Sequence, residues 1–297
     1  MAEADATGNL PFDLPDVDYE KYTNRQLVII PIVVLALALA VIGVFYVLTG
    51  APVQPGLAFT GGTELQITTA DSAGGIESTF AAQDFDVESV QPIRSQENAY
   101  IVTFQSTDTG AIQEAAEGAG YDVDSIQGRS ASFGAQSQSQ AVLGLLAAFG
   151  GMAVLVFVLF RTFIPSIAVV ASAFSDIVIP LALMNVFGME LTLGTVAALL
   201  MLIGYSVDSD LLLNNHILRR SGGFYESTYR AMRTGVTMTL TSIAAMTVMS
   251  IVAFLFGIPL LPAVGTVLVF GLVADLMNTY LLNVTLLRYY KYEGVAK

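Results

Sequence analysis

The stretch "GYSVDSDLLLNN" (204–215) closes an apolar run long enough to cross a bilayer, yet it carries two carboxylic acids, Asp208 and Asp210. Two more, Asp176 and Asp275, fall near the middle of other apolar runs. On insertion scales a carboxylate at the centre of a spanning helix costs about 2.5–3.5 kcal/mol, so each needs something to offset it. The chemistry open to such groups is the binding of protons or cations inside the membrane. The structural alternative is a protonated Asp hydrogen-bonding across helices, or an Asp paired with a buried Arg.

Two residues of separation place Asp208 and Asp210 about 200° apart around a helix, so they face different neighbours. Gly204, Asp208 and Asn215 share one face, and Ser206, Asp210 and Asn214 share another. One aspartate can point to a bundle centre. The expectation is Asp208, with Asp210 left as a hydrogen-bonded or inner-surface residue.

A possible counter-charge is Arg233, which begins the run "RTGVTMTLTS" (233–242). It could snorkel to the interface as an ordinary anchor, or attract an ionised Asp and couple charge to helix position. Below it Thr234, Thr237 and Thr241 follow 3-4 spacing. Such a hydroxyl stripe bonds backbone carbonyls or a neighbouring helix, or lines a wet path.

Other chemistries are excluded. Without cysteine there are no disulfides, thiolate metal sites or thiol nucleophiles, and a lone His216 gives neither a zinc site nor a Ser-His-Asp set. No phosphate-binding G-x-x-x-x-G-K-[ST] loop is present. The expectation is no catalytic residue, no metal and no cofactor.

The elements that must position these acids are membrane helices. Mean hydropathy is +0.67 and 12% of residues are charged, the composition of a chain bathed in hydrocarbon. Six runs reach the roughly 20 residues a span needs: Leu27–Leu48, Ala141–Phe160, Phe163–Phe187, Leu191–Leu213, Val236–Phe256 and Ala263–Leu287. Of 12 basic residues, 10 fall on one side of that layout, all but Arg94 and Arg129. By the positive-inside rule that side is the cytoplasm, with both termini in it, so the expected location is the cytoplasmic membrane. The first span reads as a retained anchor after an acidic tail (1–26).

The segment between the first two spans (50–130) is expected outside the cell as one small domain. "TELQITTA" and "NAYIVTFQS" read as strands, "GGIESTFAAQ" and "TGAIQEAAEGAG" as helices. With strands near 86–94 and 121–128, the order β-α-β-β-α-β predicts a ferredoxin-like sandwich. "GRSASFGAQSQSQ" (128–140) reads as a linker, a mobile joint over 131–140 before the five-helix block 141–287 and a short tail (288–297). Residues 50–138 hold 12 acidic residues against Arg94 and Arg129, and the whole chain carries a net charge of −13. That surface suits high salt and argues against nucleic acid as a partner.

Several of these stretches resemble the SecD/SecF family of Sec protein-export membrane subunits, a branch of the resistance-nodulation-division superfamily. "GLAFTGGTELQI" (56–67) is similar to its G-[IL]-D-[FL]-x-G-G signature, on Gly56, Phe59, Gly61 and Gly62, with Ala58 where Asp is usual. "SASFGAQSQSQAVLGLL" resembles its entry to the second span, "IGYSVDSDLLLNNHILRR" its fourth-span G-[YM]-[SA]-[VL]-[DN] motif, and "ESTYRAMRTGVTMTLTS" the start of its fifth. The match runs over 27–290 and fits the SecF branch in a haloarchaeal version. It implies that Asp208 is the fourth-span carboxylate of proton-driven export and Arg233 its fifth-span companion. A carboxylate at 208 is more typical of SecD than of bacterial SecF.

The resemblance further implies a SecD partner, a SecYE-type channel, a translocating polypeptide and the lipid bilayer as surroundings. Two other readings share some features. A small-molecule or lipid exporter of the same superfamily uses buried carboxylates but generally has larger outer domains. An intramembrane aspartyl protease uses two carboxylates, but its Tyr-Asp and Gly-x-Gly-Asp signatures are missing from the spans.

Overall fold

The computed structural model describes residues 19, 21–93, 96–219, 223–258 and 260–292. The acidic segment 1–18, Arg94, Arg220 and Lys297, weighed above, lie outside the described residues, as does the side chain of Arg219.

Among the described residues, six helical stretches are long and apolar enough to cross a membrane. The first, α1 (Asn24–Thr49), starts at a capping box in which Thr23 and Gln26 satisfy each other's backbone, and stops at Gly50 in the left-handed conformation. A four-residue helix, α2 (Leu57–Thr60), follows it. The sheet domain then runs β1 (Gly62–Thr68), α3 (Ala73–Ala81), β2 (Val87–Pro92), β3 (Ala99–Phe104), α4 (Thr109–Gly118) and β4 (Asp122–Arg129). The membrane-length helices resume as α5 (Ala131–Phe160), α6 (Phe163–Val186), α7 (Leu193–Arg219) and α8 (Phe224–Leu255). The sixth is composite: α9 (Leu261–Met277), a π-helical segment (Asn278–Asn283) and α10 (Val284–Tyr292).

The four strands form one antiparallel sheet in the order β2-β3-β1-β4. On β1 the pleat sends Leu65 and Ile67 inward and Glu64 outward. Leu65 sits between Val102 of β3 and Ile126 of β4 in register. The inward face meets Ile76 and Phe80 of α3 and Ile112 and Ala116 of α4. Phe80 packs edge-on to Phe104, with ring centroids 4.8 Å apart. This core is self-contained.

In the bundle, α6, α7 and α9 are central, while α1, α5 and α8 turn most of their apolar side chains outward. Val169, Ala173, Ile177, Leu199, Ile203, Val267 and Leu268 make the core where α6, α7 and α9 meet. Pro180 lies inside α6 and lacks the N–H that would bond the Asp176 carbonyl one turn back.

The segment 131–140 is a correction. It is not a linker but the first three turns of α5, continuous with the membrane span. Ser130 caps the helix by accepting the Phe133 N–H (3.3 Å). Its Ser/Gln composition reads as loop, yet one face is docked: a Cβ on Gly134 would lie 2.8 Å from the Gly61 nitrogen and 2.7 Å from the Phe59 carbonyl. Only glycine allows that approach, and Gly61 itself has φ +78°. Similarly α8 begins three turns before the apolar run expected at Val236, so Arg230 and Arg233 lie on the helix.

A second fastening joins the sheet domain's approach to the bundle. Gly56 N–H donates to Leu191 O (2.9 Å) and Leu191 N–H to Gln54 O (2.7 Å), a short strand bridge between the segment after α1 and the loop joining α6 to α7. Asn185 adds its amide to Pro52 O at 2.8 Å.

Candidate functional site

Polar residues repeat at helical spacing on three central helices: Ser172 and Asp176 on α6, Ser206, Asp210 and Asn214 on α7, and Asp275, Thr279 and Asn283 along the sixth span. Each set is one face, and the packing turns all three faces inward. Asp176, Asp210 and Asp275 are buried there.

Hydrogen bonds join them. Asp176 accepts from Ser206 Oγ at 2.6 Å and from Asn278 Nδ2 at 2.5 Å. Asp210 Oδ1 accepts from Thr279 Oγ1 (2.9 Å) and Asn283 Nδ2 (2.8 Å). Asp275 Oδ1 accepts from Ser209 Oγ (2.8 Å) and stands 3.3 Å from Thr279 Oγ1. Thr279 has one proton and two carboxylates within reach, so it can serve only one at a time. Ser209 is likewise shared between Asp275 and the Ser206 carbonyl (2.9 Å). Among the described residues, Ser175 Oγ and both amide atoms of Asn214 are buried without a hydrogen-bond partner. A network of buried carboxylates whose hydroxyl donors are shared can accept or pass a proton.

The donors on the sixth span depend on its π segment. Val284 N–H bonds Thr279 O, five residues back, instead of the α-helical partner Tyr280 O. The extra residue keeps Asn278, Thr279 and Asn283 all buried toward α6 and α7.

The expectation for "GYSVDSDLLLNN" is inverted by the structure. The two faces are as the spacing requires, but Ser206, Asp210 and Asn214 are the buried set, and Gly204, Asp208 and Asn215 are exposed. Asp208 instead lines a cavity of about 620 Å³ between α5, α7, α8 and α9, with Tyr205, Ser209 and Asp275 also on its wall. Ser209 and Asp275 are thus where the cavity meets the buried network. The reason for the inversion lies across the interface, where Thr279 and Asn283 of the sixth span supply Asp210 with donors.

Arg233 and the threonine stripe stand apart. Among the described residues no ion pair joins Arg233 to Asp208; the pair present nearby on α8 is Arg230–Glu226 at 2.9 Å. Thr234, Thr237 and Thr241 donate to the carbonyls of Arg230, Arg233 and Thr237, each one turn back on their own helix. The signature residues Gly56, Phe59, Gly61 and Gly62 belong to the junction with α5 and the α6–α7 loop, not to the carboxylates. There Glu190 has its carboxyl pushed above the ordinary range by burial and then by the charge of Glu88.

Sequence reasoning missed Ser206, Ser209, Asn278, Thr279 and Asn283 as site residues. A signal was present: Asp275, Thr279 and Asn283 recur every four residues in an otherwise apolar run.

A bundle of six membrane-length helices, with a small sheet domain inserted after the first and a carboxylate network at its centre, defines a multi-pass membrane protein. Residues 112–293 match the family model described as protein export membrane protein SecD/SecF, C-terminal. The chain belongs to the SecD/SecF family. It is 65% identical over 288 residues to the protein-export membrane protein SecF of Haloferax volcanii, covering 96% of this chain and 99% of that one. To the SecF of Haloquadratum walsbyi it is 61% identical, with the same coverage of both chains. Its fold is similar to the crystal structure of SecDF, a translocon-associated membrane protein from Thermus thermophilus, with a TM-score of 0.70 at 18% identity. That match covers 90% of this chain and 38% of the longer one.

Proposed function

We propose that this chain is the SecF-type accessory subunit of Sec protein export, working beside a SecD-type partner, and that its carboxylate network couples an ion gradient to that work. Family membership supports the export role. The observation that carries the coupling is the meeting of Asp176, Asp210 and Asp275 from three helices through Ser206, Ser209, Asn278, Thr279 and Asn283. Asp210 is the working residue in this reading, with Asp275 as its link to the cavity beside Asp208 and Asp176 as a third acceptor. A proton added to the network supplies a donor and lets Thr279 turn to the other carboxylate.

The distribution of basic residues supports an orientation with both termini in the cytoplasm and the sheet domain, read as a ferredoxin-like sandwich from its strand order, on the outer side of the cytoplasmic membrane. There it would meet polypeptide leaving a SecYE-type channel.

The test is the export rate of a secreted reporter in cells carrying Asp210→Asn. The expected result is export slowed at least tenfold and insensitive to collapse of the ion gradient, with the protein still present and paired with SecD. Export at the normal rate that still responds to the gradient would sink the relay and leave the network as a structural clasp.

A further inference from the structure

Tyr19 lies before the first span, in "DVDYEKYTNRQ", and is fully buried although its neighbours in sequence are charged. Its ring stands 5.8 Å from that of Tyr229 and packs with Leu213, Met232, Val284 and Leu287, at the end of the bundle where α1 begins and α10 ends. Arg288 ties the same segment down, one guanidinium nitrogen donating to the carbonyls of Tyr19 and Tyr22, each at 2.9 Å. Tyr19, outside the spans, is therefore inserted among α7, α8 and α10.

The hydroxyl of Tyr19 goes to a particular atom. It donates to Tyr280 O at 2.8 Å, with Met232 Sδ a distant 3.7 Å away. Tyr280 O is the carbonyl that the π segment deprives of its α-helical donor, because Val284 N–H has moved to Thr279 O. A buried carbonyl without that donor needs another, and Tyr19 supplies one. Tyr280 is flanked by Thr279, which serves Asp210 and Asp275, and lies between Asn278 and Asn283, which serve Asp176 and Asp210.

We propose that Tyr19 is a positioning residue for the carboxylate network, a latch whose hydroxyl holds the sixth span in its π register. Loss of the latch favours return of Val284 N–H to Tyr280 O, an α-helical register that turns everything beyond it by one residue, about 100°. Asn283 is then carried off Asp210. The latch matters to export through the coupling reading above, on which its functional meaning rests, but its existence is measured separately.

The chain has no cysteine, so a single introduced thiol reports on one place. Thr285, the second residue of α10, is buried and would rotate with the register. Full-length protein in membranes carrying Thr285→Cys is labelled with N-ethylmaleimide, alone and combined with Tyr19→Phe, which keeps the ring and removes only the hydroxyl. Labelling about threefold to tenfold faster in the combined variant is expected, the range that one net hydrogen bond spans. Thr234→Cys, exposed on α8, should label at one rate in both backgrounds. Equal rates at 285 with and without the hydroxyl overturn the latch, and so does an equal acceleration at 234, which signals general loosening. If Asp210→Asn exports normally while 285 still responds to Tyr19→Phe, the relay has failed and the latch stands.

Discussion

Asn278 and Asn283 lie five residues apart on the π segment and hold two different carboxylates, Asp176 on α6 and Asp210 on α7. In a regular α-helix the same two residues would point about 140° apart. The π segment brings both amides to the one side that faces the two central helices.

Replacing Asn283 with Leu removes an amide donor from Asp210 and leaves Thr279 as the other donor to the same oxygen. A buried acceptor stripped of its donor costs about 1–3 kcal/mol. Thermal unfolding of the purified protein should fall accordingly, while Asn283→Gln should recover part of the loss.

Asp208 and Asp210 should separate in export assays. Asp208 lines an open cavity, is exposed and stands apart from the hydrogen bonds described for the buried network, so Asp208→Asn is expected to export close to the normal rate. The same change at Asp210 should be the damaging one. The reverse ranking, with Asp208→Asn the slower strain, would move the relay into the cavity.

Gly134 tests the junction of α5 with α2. A methyl group there meets the Phe59 carbonyl and the Gly61 nitrogen, both backbone and both within 2.8 Å. Overpacking of this kind costs about 1–3 kcal/mol. Gly134→Ala should speed protease cleavage in the segment 50–61 and leave protection of the spans unchanged.

Glu190 gives the same junction a pH dependence. Its carboxyl is raised above 4.5 in the folded protein, by burial and by Glu88, so the folded state holds the proton more tightly than the unfolded one. The junction is then strongest in acid. It weakens as pH rises from about the ordinary carboxylate value through the raised one, and is level beyond it. Cleavage in 50–61 followed against pH should show that rise, and Glu190→Gln should flatten it.

Much of the architecture was legible. Six apolar runs and the order β-α-β-β-α-β follow from period and composition, because hydrocarbon length and strand alternation leave few alternatives. The inner face of α7 was not read correctly, since a pair like Asp208 and Asp210 fixes only the angle between two faces. Which face is buried depends on Asn278, Thr279 and Asn283 across the interface, and their inward alignment depends on a π segment that no local pattern announces. The start of α5 was misread for a related reason: Ser and Gln become helical there because Gly134 finds Gly61, a contact 73 residues away in the chain.

The bridge from Gln54 and Gly56 to Leu191 has a mechanical consequence. Leu191 belongs to the loop that joins α6 to α7, and those two helices carry Asp176 and Ser206, partners at 2.6 Å. A pull on the sheet domain therefore arrives as a load on the top of that hairpin, while α5 resists it as a stay. The two hydrogen bonds at Leu191 are thus a direct connection between the sheet domain and the helix pair that carries the carboxylates.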